Sequence, residues 1–108
     1  MRQVLPGDLV AAALVLRALP EAERDGALRR LLEEADLADR YRKRLGRPHP
    51  DYGNGSLMAA ALRHRPGGEP FLSDPAYLDA LGRVIAALRA RRARHDNDHK
   101  MCSGGLYS

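Results

Sequence analysis

Basic side chains near the C-terminal end of this chain are the residues best suited to binding an anion. Residues 82–108 contain six lysines and arginines against two acidic residues, whereas residues 1–81 contain twelve of each. The formal net charge of +4 therefore lies entirely after residue 81. Such cations bind nucleic-acid phosphate without reading base sequence. The predicted DNA-binding residues are Arg89, Arg91, Arg92 and Arg94.

These arginines spread around a helix instead of lining one face, because each helical residue turns the side-chain direction by about 100°. Neither an aromatic stacking platform nor a helix-turn-helix pattern accompanies them. We therefore expect any binding of double-stranded DNA to be weak and independent of sequence. The alternative is a solvated helix end whose cations complement the helix dipole.

A cluster of possible metal ligands follows the arginines and comprises His95, Asp96, Asp98, His99 and Cys102. Structural zinc usually needs four ligands in a firm frame. Here the ligands lie in a glycine-containing segment without apolar periodicity, so an ordinary polar tail is the favoured interpretation. We predict no metal and no other cofactor.

The segment Gly53-Asn54-Gly55-Ser56 could hold a phosphate at a helix N-terminus. It lacks the lysine and the spacing of a P-loop, and a turn followed by an N-cap explains it. His49 and His64 flank loops and are predicted to form hydrogen bonds within them. Since no catalytic order of Ser, His and Asp and no Cys–His pair stands out, the protein is predicted not to be an enzyme.

Four helices must position these groups, and no window alternates with the period of a strand. Asp8 is the predicted N-cap of the first helix, which ends near Leu19, and Pro20 folds the second helix back as an antiparallel hairpin. Phe71 and Leu72 are expected to plug the core from a loop. The other predicted helices span 21–46, 57–64 and 75–92, with caps at Gly46, Ser56 and Asp74.

The second helix has an apolar stripe with a spacing typical of helix-on-helix packing. At 1.5 Å per residue this helix would be roughly 35 Å long. A chain of 108 residues with one Phe and no Trp is expected to be too small to cover it alone. We therefore expect an all-α, ring-like homo-oligomer. The predicted oligomerisation residues are Leu28, Leu31, Leu32, Ala35, Ala38, Tyr41 and Leu45.

The predicted organisation is a hairpin over 1–45, then a loop, short helix and C-terminal helix over 46–94, and a flexible, disordered tail over 95–108. Leu106 and Tyr107 of this tail are the predicted anchors for a protein partner. One cysteine fits a reducing compartment, and no apolar run approaches the ~20 residues of a membrane span. A cytoplasmic protein without membrane contact is expected.

Three strings, LLEEADLADRYRKRLGRPHP (31–50), HPDYGNGSLMAAAL (49–62) and EPFLSDPAYLDAL (69–81), resemble a family of small alphaproteobacterial proteins. That family is similar to the small terminase subunit of gene-transfer-agent packaging clusters. The resemblance implies a non-catalytic, ring-forming component of phage-like DNA packaging whose partner is the large terminase subunit. Only seven residues precede the hairpin, which leaves no room for a recognition domain, so specific packaging-site binding is not expected.

Two other hypotheses remain open. One is a helical adaptor or regulatory protein that binds an acidic protein partner through its basic C-terminal end. The other is a basic nucleic-acid-associated protein without a packaging role.

Overall fold

The computed structural model describes residues 1–64 and 66–107, with side chains as far as Arg94. Its elements are α1 (Pro6–Arg17), α2 (Glu21–Leu45), α3 (Leu57–Leu62) and α4 (Pro75–Tyr107). The described chain is all-helical, as predicted, and contains no strand; His49 and Gly53 form an isolated antiparallel bridge. The predicted tail, 95–108, lies outside the residues described in full.

Helix α1 begins earlier than predicted. Its N-cap is Leu5, and Pro6 occupies the first turn, where a fixed φ and a missing N–H cost nothing. Asp8 lies inside the helix, and its carboxylate accepts a hydrogen bond from Leu5 N at 2.7 Å. The carboxylate thus caps the helix from its third position, as the acidic residue of a capping box does.

The other predicted caps are confirmed. Gly46 ends α2 with φ of 72°, in the left-handed region that glycine adopts without strain. The Ser56 hydroxyl accepts a hydrogen bond from Ala59 N at 3.0 Å at the start of α3. The Asp74 carboxylate accepts one from Tyr77 N at 3.0 Å at the start of α4. The ends are less accurate, since α1 and α3 each stop two residues before the predicted position, and α4 continues beyond its predicted end at residue 92 as far as Tyr107.

The core is built around α1, which packs more extensively on α4 and α3 than on α2. Small side chains on several sides of α1 allow this close approach: Ala11, Ala12 and Ala13 are buried together with Leu16. Tyr77 of α4 is completely buried, and its hydroxyl donates to the Glu69 carboxylate at 3.2 Å. The core is thus made mainly of Ala and Leu side chains, as composition indicated.

Two expectations about packing are wrong. The chain itself buries most of the α2 stripe, because α1 and α3 cover it; the residues concerned are Leu28, Leu31, Leu32, Ala35 and Ala38. Phe71 and Leu72 do not plug the core but are 87% and 63% exposed. The buried Tyr77 ring is the large aromatic of the core instead.

Candidate anion-binding groove

An open groove of about 600 Å³ lies between the N-terminal segment 1–4 and the α4 segment 88–94. Arg91, Arg92 and Arg94 of the predicted DNA-binding set line it, and Arg2 joins them from the opposite wall. Val4 and Leu88 add an apolar part to the lining. The groove therefore brings guanidinium groups from the N-terminal segment and from α4 to one surface.

Two contacts position the N-terminal wall of the groove. The Met1 ammonium lies 2.7 Å from an Asp36 oxygen and 3.4 Å from an Asp39 oxygen, both on α2. Arg2 N donates to the Gly55 carbonyl at 2.7 Å. The segment is therefore fixed to α2 and to the loop before α3, which holds the Arg2 side chain near α4.

Gly55 is required for this arrangement. Its φ is +94°, and a Cβ built on it would lie 2.7 Å from the Asp39 Cα. Only glycine allows the loop to lie this close to the α2 backbone. The Asn54 side chain accepts a hydrogen bond from Ser56 N at 3.0 Å, and Ser56 caps α3, so these side chains form the turn and cap that the sequence favoured over a phosphate cradle.

Arg91 serves the fold as well as the groove. One of its terminal nitrogens lies 2.9 Å from each Asp36 oxygen and so joins α4 to α2. Burial acts to raise the pKa of Asp36, but hydrogen bonds from the Met1 ammonium and from Arg91 lower it overall. Both side chains are about 30% exposed, so Arg91 is anchored and partly neutralised.

Asp39 is the second carboxylate beneath this wall and, unlike Asp36, is buried, with 4% exposed. Burial acts to raise its pKa, but hydrogen bonds from Arg42 and Lys43, with help from the Met1 ammonium, outweigh burial and lower the pKa to about 2. The contact distances are 2.9 Å to Arg42 and 3.2 Å to Lys43. Because nearby cations already neutralise the carboxylates of Asp36 and Asp39, the exposed arginines make the net charge of the groove positive.

Arg89 lies apart from this groove. It is exposed and borders a shallow depression of about 430 Å³ together with Leu88, Arg92 and Ala93. The four predicted DNA-binding arginines therefore do not form one surface, as expected from their helical spacing. Sequence reasoning missed Arg2, since no local signal in Met1–Val4 indicates that this segment folds against α4.

Tyr41 and Leu45, the two predicted oligomerisation residues that are not buried in the core, occupy different environments. The Tyr41 ring packs edge-on against His49 at 4.8 Å, and His49 stacks on Tyr52 at 4.8 Å. The Arg63 guanidinium lies 4.9 Å from the Tyr52 ring centre on this cluster. Leu45 is 49% exposed at the end of α2.

His49 forms the loop hydrogen bonds predicted for it. Its Nδ1 accepts from Asp51 N at 3.0 Å and from Tyr52 N at 3.2 Å. His64 is exposed, with its Nε2 3.8 Å from a Glu34 oxygen. The imidazole of His49 is thus engaged in shaping the loop.

The candidates near the C-terminus lie outside the residues described with side chains; they are His95, Asp96, Asp98, His99, Cys102, Leu106 and Tyr107. Across the part of the chain that is described, no group of three His, Cys, Asp or Glu side chains could hold a metal ion. Within the same part, no helix combines the length and apolar character needed to cross a membrane.

Residues 2–88 match the model of a protein family described as "Domain of unknown function (DUF7742)". The match covers most of the chain, including all of α1, α2 and α3, so the chain belongs to this family. Neither a curated protein nor a solved structure matches the chain.

Proposed function

We propose that this DUF7742 protein is a non-catalytic component of DNA packaging, similar in role to a small terminase subunit. In this proposal it binds the phosphate backbone of double-stranded DNA weakly and engages the large terminase subunit. The observation that supports DNA binding is the groove of about 600 Å³, which places Arg2 opposite Arg92 and Arg94. The packaging role itself rests on the family resemblance of the three sequence strings.

The composition of the groove favours a backbone ligand over a base-reading one. Guanidinium groups bind phosphate strongly and in a fixed geometry, but phosphate contacts carry no sequence information directly. The groove is open and shallow, which suits a long polyanion that passes over it. If Arg2, Arg92 and Arg94 each neutralise one phosphate, the slope of log K against log salt is about −2.7, and affinity falls about fortyfold between 50 and 200 mM salt.

Fluorescence anisotropy with labelled random-sequence duplex DNA tests this proposal. The paired change Arg2→Ala and Arg94→Ala should reduce the salt slope by about 2, to about −0.9. The matched control is Arg29→Ala with Arg30→Ala, two exposed arginines of α2 that do not line the groove. Each pair removes two positive charges from a net charge of +4 and leaves +2.

Equal weakening by the two pairs would mean that overall charge, and not the groove, attracts DNA. A defined DNA sequence bound about a thousandfold more tightly than random DNA would contradict a backbone-only mode, because that ratio is typical of specific readout. Arg91 is left unchanged in this experiment since its contact with Asp36 joins two helices.

Engagement of the large terminase is assigned to the C-terminal end, where the whole net charge of the sequence lies. Truncation after Arg94 removes Leu106 and Tyr107 but none of the core side chains of α1, α2 or α3. We expect the truncated protein to remain helical by circular dichroism and to lose binding to the large subunit in a pull-down. Full retention of the large subunit would move the docking site to the helices.

The second candidate function is an adaptor that binds an acidic protein partner. Val4 and Leu88 in the groove favour it, because apolar side chains add nothing to phosphate binding but contribute to binding a peptide. An acidic peptide that contains apolar residues should then compete with DNA more strongly than polyglutamate does. The packaging proposal also predicts that the gene lies beside that of a large terminase, which the adaptor hypothesis does not require.

A further inference from the structure

The outward face of α4 carries an apolar surface that the chain itself does not cover. Leu78 is 50% exposed and Ile85 is 45% exposed, two helical turns apart on the same side. The loop immediately before the helix adds Phe71 and Leu72, which are 87% and 63% exposed. Scattered exposed apolar residues are ordinary, but a contiguous apolar surface indicates an interaction site.

The spacing along this face is typical of helix pairing. Leu78, Gly82, Ile85 and Arg89 follow one another at steps of four, three and four residues, which places them on one side of the helix. The core-facing side of the same helix is formed by Tyr77, Ala80 and Val84, all completely buried. A Cβ on Gly82 would meet nothing within 4 Å, so the middle of the outward face is open to a close neighbour.

We propose that this face binds the same face of a second copy, with the two α4 helices antiparallel about a two-fold axis close to Gly82. The proposal goes beyond the DNA-packaging function and does not depend on it. A two-fold interface uses the same patch on both subunits, so each residue must suit the residue found at an equal distance on the other side of the axis.

The sequence of α4 satisfies this condition for its apolar residues. Leu78 and Ile85 lie at nearly equal distances before and after the axis, so Leu78 of each copy contacts Ile85 of the other. Gly82 lies between these two contacts, where the absence of a side chain allows the helices to approach closely. Charged residues at the ends of this central strip complete the match.

Asp74 and Arg89 have the same midpoint as Leu78 and Ile85, which brings Arg89 of one copy to Asp74 of the other. The Asp74 carboxylate caps α4 and binds Arg17 at 2.7 Å, and its side chain is still 25% exposed. It therefore has room to accept a hydrogen bond from a second guanidinium. Opposite charges at equal distances from the axis select the antiparallel arrangement, because a parallel one brings like charges together.

Phe71 supplies a third match. Phe71 lies in the loop just before α4, at the Asp74 end of the strip, and this end meets the Arg89 end of the second copy, which carries the depression of about 430 Å³ lined by Leu88, Arg89, Arg92 and Ala93. The Phe71 ring of one copy can enter this depression in the other, where it contacts apolar carbons and lies near guanidinium groups, which bind aromatic faces favourably. The antiparallel arrangement thus brings the most exposed aromatic residue among those described with side chains to the same end of the strip as a surface depression.

The size of the contact sets the expected affinity. The helical part of the strip, from residue 75 to residue 92, is about 26 Å long at the helical rise and one helix wide. This is at the lower end of specific interfaces, where complexes are weak. We therefore expect a dissociation constant in the micromolar range, with a monomer at low concentration and a dimer at high concentration.

Disulfide trapping tests the register directly. In a Cys102→Ser background, Gly82→Cys places one thiol beside the axis, and mild oxidation should convert most of the protein to a covalent dimer. Gly26→Cys is the matched control, because Gly26 is also an exposed helical glycine whose added Cβ meets nothing within 4 Å. If both variants cross-link at the same rate, or neither does, the proposed axis is wrong.

Sedimentation velocity from about 1 to 500 μM protein tests the interface without a cross-link. Leu78→Lys should raise the dissociation constant at least tenfold, since it places a cation against Ile85 of the second copy. The control Leu62→Lys changes an apolar residue of similar exposure, 54%, on α3 and should leave the constant unchanged. A monomer at every concentration, or a dimer unaffected by Leu78→Lys, would overturn the proposal.

Discussion

Replacing Asp8 with alanine should destabilise the protein more than any exposed aspartate substitution. Asp8 is 4% exposed, and its two carboxylate oxygens hold two separate helix starts. Oδ2 accepts from Leu5 N at the beginning of α1, and Oδ1 accepts from Met58 N at the beginning of α3, both at 2.7 Å. One side chain therefore fixes the angle between the two helices and the entry of the N-terminal segment.

The magnitude follows from these two bonds. Loss of a helix cap costs about 1 kcal/mol, and an unsatisfied, partly buried N–H at Met58 costs about 1–3 kcal/mol. The sum is about 2–4 kcal/mol, a large fraction of the total stability of a small domain. At roughly 4–8 °C per kcal/mol for a domain of this size, Tm should fall by about 8–32 °C.

Urea unfolding followed by circular dichroism at 222 nm measures the change. Asp8→Asn keeps the volume and one acceptor oxygen, so its cost should be about half that of Asp8→Ala. Asp51→Ala is the control, because Asp51 is an exposed loop residue and such changes stay within about 0.5 kcal/mol. If Asp8→Ala cost no more than Asp51→Ala, the carboxylate would not be joining the two helices.

Three further predictions concern the residues beneath and beside the groove. Because the folded pKa of Asp39, about 2, lies below its unfolded value, its stabilising effect is present above about pH 4 and is lost as the pH falls towards 2; Asp39→Asn should flatten the pH dependence of urea unfolding in that window. Gly55→Ala should cost more than about 2 kcal/mol in the same assay because of its φ of +94° and its contact with α2, whereas Gly26→Ala should stabilise by up to about 1 kcal/mol. Arg91→Ala should lower stability by about 1 kcal/mol, since its partner carboxylate is partly exposed, while Arg94→Ala should leave thermal unfolding unchanged.

The number and type of the elements could be predicted from the sequence because those signals are local. Gly46, Ser56 and Asp74 act within four residues of themselves, so their roles are readable from neighbouring sequence letters. The predicted start of the first helix is less accurate. Asp8 has the chemistry of a cap but acts from inside the helix, and Pro6 gives the earlier start.

What covers each apolar face could not be predicted in the same way. Periodicity shows that Leu31 and Ala35 share a side of α2, but it does not say whether this chain or another covers that side. The deciding feature is the run Ala11–Ala13 in α1, whose small side chains allow α3 and α4 to pack close to the same helix. The buried part of the α2 stripe is therefore covered within the chain, and a further uncovered apolar surface lies on α4.

The charge pattern of the groove likewise could not be predicted from local sequence, because it depends on contacts between residues far apart in the chain. Arg91 and Asp36 are 55 residues apart in sequence, and Arg2 reaches α4 only because Gly55 allows its loop to approach Asp39. Assigning the net charge of +4 to the end of the chain thus overstates the role of Arg91, a predicted DNA-binding residue, and omits Arg2, which is not among those predicted. Binding of a polyanion should accordingly depend on Arg2, far away in sequence, more than on Arg91, whose guanidinium is already engaged by a carboxylate.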